Sequence, residues 1–292
     1  MTNNADKFKN EENWDFIIEP RVSLFHLDLK EILRYRDLLE MFVRKDVITQ
    51  YKQTILGPLW YLAQPVLTTV MFMFIFGNLA GIPTDGIPQP LFYMAGILCW
   101  NYFSECLNRT SDTFLNNQHI FGKVYFARIV MPLSLTISNL VKFFIQLIIF
   151  ICVYIYFIFN GTTVFPNIYV LLFPLLIVLL AGQGLAFGIL ISSMTTKYRD
   201  LKFLVSFGVQ LWMYITPVIY PMSLMTEKYS NYSWIIAVNP VSPIIETFKY
   251  GVLGTGVFTW WGVIYSLIFT VILLYFSSLV FNKVERSFMD VI

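Results

Sequence analysis

What most constrains this chain is a series of apolar runs, each about as long as a bilayer is thick. A hydrocarbon core of about 30 Å takes roughly 20 residues of helix, and six stretches meet that length: 59–79, 90–107, 132–159, 168–194, 203–220 and 257–281. Charge clusters or Pro/Gly turns such as Gly81-Ile82-Pro83, Asn160-Gly161 and Pro221 separate them. Composition agrees, because 57% of the 292 residues are hydrophobic and only 13% charged, about half the charged share of soluble domains. The expected fold is an all-α polytopic membrane protein of three parts. Residues 1–57 form a polar cytoplasmic arm, 58–282 a six-span transmembrane domain and 283–292 a cytoplasmic tail.

Half of the charge, 19 of 38 residues, lies in residues 1–57. The opening 13 residues are polar and hold no apolar run of signal-peptide length, so the N-terminus is expected to stay in the cytoplasm. Six spans then place the arm, the 108–131 loop, the 195–202 loop and the tail inside. These carry nine, three, three and two Lys/Arg, against two in the three outer loops. That asymmetry is the positive-inside pattern. The net charge of +2 is too small to argue for a nucleic-acid partner. Cys99, Cys106 and Cys152 are odd in number and lack ligand spacing, which argues against both a disulfide framework and a metal site.

The pieces between the spans are informative. Residues 35–53 set Arg36, Asp37, Glu40, Arg44, Lys45 and Lys52 against Leu38, Leu39, Phe42, Val43 and Val47. This spacing predicts an amphipathic helix in the cytoplasmic interface, either a simple anchor or one whose polar face also meets a partner. The 108–131 loop holds Phe114, Leu115, Ile120, Phe121, Tyr125 and Phe126, apolar surface that must be covered. It either folds back on the bundle or docks on another subunit. The outer segment 221–256 contains two short apolar stretches, 233–238 and 243–253, parted by Asn239-Pro240. Two re-entrant helices fit it, since non-helical backbone at membrane depth must be buried in protein or line a wet cavity; a flat hairpin on the outer surface is the alternative.

Within the spans, Lys142 is the one deep charge, costing about 2.5 to 3.5 kcal/mol on insertion scales. It stands about 15 Å along its helix from Pro132, so snorkelling to the cytoplasmic face is expected. Gln64 and Gln210 point to a wet path, because lipid would strand their amides. The motif Gly184-x-x-x-Gly188-x-x-x-Ser192 permits close helix contact without saying with which helix. Phosphate-loop, zinc-protease and nucleophile-elbow motifs are missing, and both histidines, His26 and His119, fall in expected cytoplasmic segments. Chemical catalysis and ion coupling are therefore disfavoured.

Several motifs in order resemble the polysaccharide-exporting permeases of the ABC-2 class, which serve O-antigen, capsule and teichoic-acid export. They are the Tyr51 to Pro65 segment YKQTILGPLWYLAQP, Lys123-Val-Tyr-Phe-Ala-Arg128, Tyr198-Arg-Asp-Leu201, and Pro217-Val-Ile-Tyr-Pro221 followed by Asn239-Pro240. The resemblance runs from about Trp14 onward and departs at Ala127, where many relatives have proline. It implies a homodimer in the bacterial inner membrane, both termini cytoplasmic, bound to two copies of a separate ATPase that holds the ATP and Mg. This chain itself would bind no cofactor. Spans one and five would line the path of a lipid-linked polysaccharide, the first cytoplasmic loop would carry a coupling helix, and the segment before span six would form gate helices. Lys123, Arg128, Arg199 and Asp200 are the coupling candidates; Trp60, Tyr61, Gln64, Gln210, Trp212, Tyr214 and Tyr220 are the path candidates. Two other classes remain open: an ATP-independent flippase or channel, and a membrane glycosyl- or acyltransferase.

Overall fold

The computed structural model describes residues 33–52, 59–117, 126–162, 164–195, 198, 200–228, 231 and 233–288. Among them the chain is all-helical, without a strand. In order the helices are α1 (Arg36–Lys52), α2 (Leu59–Leu79), α3 (Gln89–Ser111), α4 (Thr113–Asn116), α5 (Val130–Phe159), α6 (Ile168–Thr195), α7 (Leu201–Ile215), α8 (Met222–Lys228), α9 (Ser233–Val238), α10 (Ser242–Leu253) and α11 (Trp260–Phe288).

Four of these are long and apolar enough to cross a membrane: α2, α5, α6 and the Trp260–Val284 part of α11. They coincide with the first, third, fourth and sixth expected spans. The other two are helical as expected but differ in kind. At 23 residues α3 is about 34 Å long, yet Asn101, Ser104, Glu105 and Asn108 lower its mean hydropathy. Helix α7 stops at Ile215, five residues short of the expected end, and Thr216 is extended (φ −86°, ψ 143°). The cause is local, because Pro217 disfavours helical backbone in the residue before it.

At the centre of the bundle is α3, with 16 of its residues buried, packed against α2, α5, α6, α7 and α10. Such all-round burial is the mark of a core helix. The small-residue ridge of α6 meets it: a Cβ added at Gly184 would lie 2.6 Å from Cys106 Cβ, and one at Gly188 2.5 Å from Thr110 Cβ. Backbone-to-backbone approach there leaves no room for a side chain. The outward faces of α5 and α11 instead present Ile148, Ile155, Ile268 and Val271, apolar surface suited to lipid. All three cysteines are free, with Cys99 and Cys106 buried and Cys152 exposed.

Of the two readings of the 108–131 loop, Phe114 and Phe126 follow the first. They pack with Val130, Met131, Ile189 and Phe281, and Phe114 stacks on Phe281 at 5.0 Å. Tyr35, just before α1, and Leu38, Leu39 and Phe42 of α1 lie against the same cluster.

Candidate functional site

Ion pairs tie the helices together towards both ends of the bundle. Where α3 ends, the Arg109 guanidinium pairs with Asp46 of α1 at 2.5 Å and donates to Asn139 Oδ1 of α5 at 3.0 Å. Ser138 donates to the second Asp46 oxygen. One residue cluster therefore fixes α1 onto α3 and α5. Beside it, Lys202 at the start of α7 pairs with Asp112 at 2.6 Å, Thr195 Oγ1 donates to Ser111 O, and Phe114 N donates to Ser192 Oγ. Through these contacts the loop that follows α3 is tied to the end of α6 and the start of α7.

At the opposite end the irregular turn after α7 is wedged under α10. Lys249 Nζ donates to Pro217 O at 2.6 Å, sits 3.8 Å from the Phe92 ring centroid and lies 3.8 Å from Glu246 Oε1, with both side chains buried. Glu246 Oε2 accepts from Val257 N at 3.4 Å, and Asn239 Nδ2 donates to Thr216 Oγ1 at 2.8 Å. Burial pushes the Glu246 carboxyl above the usual carboxylate range, against the pull of Lys249. It lowers the Lys249 ammonium to about 8, against the opposing pull of Glu246. Removing charge from water costs more than the partner returns.

One turn inward from Arg109, Lys142 has a partner within the bundle. Its ammonium pairs with Glu105 of α3 at 3.3 Å and lies 4.8 Å from the Tyr61 ring centroid. A carboxylate on the neighbouring helix gives the ammonium a counter-ion inside the protein. Glu105 and Lys142 descend and ascend antiparallel helices, so the pairing follows from counting inward from Arg109 and Ser138. Sequence reasoning flagged Lys142 and overlooked its counter-ion.

The expected site residues fall in different places. Lys123 and Arg199 lie outside the described residues. Arg128 is buried just before α5 and Asp200 is exposed just before α7. Among the path candidates, Trp60, Gln64, Gln210 and Tyr214 are exposed, and Tyr61 is half-buried. Trp212 instead turns inward, with its ring 5.2 Å from Phe103 and 5.2 Å from Phe187. Tyr220 is buried and donates its hydroxyl to Ile215 O at 2.7 Å. The Gln64 and Gln210 side-chain amides make no hydrogen bond to another described residue. On otherwise apolar helix faces they demand water or a polar ligand.

Among the described residues, an all-helical architecture with several membrane-length helices around a buried central helix defines an integral membrane protein. Comparison with known proteins narrows that class. Residues 38–253 match the ABC-2 type transporter family, and the chain belongs to it. It is 31% identical over 267 residues to an O-antigen export system permease protein RfbA of Klebsiella pneumoniae, covering 88% of this chain and 95% of that one. The RfbA of Myxococcus xanthus is 26% identical over 222 residues, 76% of this chain and 82% of its own. A polysialic acid transport protein KpsM of Escherichia coli is 22% identical over 257 residues, covering 85% and 94%.

Proposed function

We propose that this chain is the permease subunit of an ABC exporter that moves a lipid-linked polysaccharide of O-antigen type out of the cytoplasm across the bacterial inner membrane. The work is done by a separate ATPase, two copies of which bind a homodimer of this chain and hold the ATP and Mg. Each chain crosses the membrane six times, with α3 and α7 as the second and fifth crossings and both termini cytoplasmic. Helix α1 lies in the inner interface, and α9 and α10 re-enter from the outer side as gate helices. The names of the relatives support the substrate class, and the family supports the motor.

The observation that carries a path along α2 and α7 is the pair of exposed amides of Gln64 and Gln210, without a hydrogen bond to another described residue, which lipid would strand at a cost of several kcal/mol. Trp60, Tyr61 and Tyr214 give that path amphipathic rings, while Trp212 and Tyr220 support it from behind. On the inner side Lys123, Arg199 and Asp200 receive the ATPase, and Arg128, buried just before α5, supports that surface from within. The Asp112–Lys202 pair passes displacement of the loop on to α7. Conversely, Lys249 ties the far end of α7 to the gate helix α10. Cells lacking this protein are expected to accumulate the lipid-linked polymer on the cytoplasmic side, measured by extraction of carrier-linked glycan. If no polymer forms at all, the protein acts upstream of export and the proposal fails.

A further inference from the structure

Four polar residues of α3, Asn101, Ser104, Glu105 and Asn108, are not part of its buried surface. On a helix that turns about 100° per residue, take Trp100, which faces Trp212 of α7 at 6.2 Å, as zero. Glu105, which reaches Lys142 beneath the Tyr61 ring of α2, then lies at about 140°. Ser104, Asn108 and Asn101 fall between, at about 40°, 80° and 100°. The three face the gap between α2 and α7, the two helices that carry Gln64 and Gln210.

All four are only half-buried, on a helix that is otherwise almost wholly core. The Asn101 and Asn108 amides make no hydrogen bond to any other described residue. Glu105 keeps 43% of its side chain exposed, against 16% for the lysine it pairs with. A core helix that turns two free amides, a hydroxyl and half a carboxylate to one side over roughly 10 Å does not turn them to lipid.

Resting on the export reading above, we propose that Asn101, Ser104, Glu105 and Asn108 form a ladder that hydrogen-bonds the hydroxyls of an uncharged glycan as it enters the path. Each amide offers two donors and an acceptor, and the carboxylate accepts from hydroxyls. Beside them the Tyr61 ring offers a flat amphipathic face. The charge balance sets the class of polymer. Lys142 and Glu105 cancel, and Arg109, one turn further on, is committed to Asp46 and Asn139. A polyanionic chain would meet the exposed half of Glu105 with its cation already engaged, in a setting where like charges repel far more than in water.

The test uses the permease with its ATPase in proteoliposomes, supplied with a lipid-linked neutral hexose polymer or with a carboxylated polymer of equal length. The wild type is expected to export the neutral polymer several-fold faster. N101L/N108L should slow that export roughly tenfold, the worth of about two neutral hydrogen bonds, and raise the half-saturating polymer concentration. E105K, placing a second cation beside Lys142, should narrow the gap between the two polymers. Melting temperature and dimer elution are followed for each variant, with N101L and N108L made singly as well. Equal export of both polymers by the wild type would overturn the ladder. So would wild-type kinetics in correctly folded N101L/N108L, or loss of the dimer in it, which would make the stripe a contact between copies. Export that persists with a hydrolysis-deficient ATPase would instead defeat the export reading itself.

Discussion

Lys249 shows how much a single residue does in this bundle. Its ammonium holds a carbonyl of the turn that ends α7, an acid on its own helix and an aromatic face on α3, so three elements meet at one buried charge. Breaking a buried pair from one side is costly, because the other charge is left behind. K249M is expected to destabilise the protein by about 3 to 5 kcal/mol, while E246Q/K249M recovers part of that loss; thermal unfolding in detergent measures both. Equal melting temperatures for K249M and the wild type would show that Pro217 and Glu246 find other partners. Little of this was legible beforehand. Lys249 counted as an ordinary outer-loop cation, since the i, i+3 spacing from Glu246 is visible in sequence but the carbonyl of Pro217, 32 positions away, is not. Glu105 was missed for the same reason: its partner is 37 residues off and meets it only through antiparallel packing.

At the level of elements, pattern served better than partner. The α6 ridge of Gly184, Gly188 and Ser192 announced close helix packing, and the structure supplies α3 as the neighbour, with backbone at Leu107 O 2.9 Å from a Cβ at Gly188. Gly208, in the interior of α7, has nothing within 4 Å of such a Cβ. The two glycines should therefore respond in opposite directions. G188A is expected to cost about 1 to 3 kcal/mol by overpacking, whereas G208A should stabilise by about 0.5 to 1 kcal/mol through the backbone entropy of glycine. Paired melts in the same detergent distinguish them, and a neutral G188A would mean that the seam yields without strain. Helix ends were less legible: the apolar run continues to Tyr220, but Pro217 overrules it and the last five residues become the turn that Lys249 grips.

For the whole molecule, apolar length located four membrane-length helices directly. It also located α3, whose polar residues lower its hydropathy, and α7, which is apolar but only 15 residues long. A conduit has to carry polar residues, and the proposed path draws them from a membrane-length helix, Gln64 on α2, as well as from α3 and α7. What stayed illegible is how the polar stripe of α3 is aimed, because a helix whose buried faces surround it shows no clean amphipathic period. The central claim is that this chain conducts and another polypeptide supplies the energy. Reconstituted in proteoliposomes with its ATPase, it should export lipid-linked glycan only when ATP is hydrolysed, and an ATPase unable to hydrolyse ATP should abolish export. Sustained export by the permease alone, or with the inactive ATPase, would contradict the account.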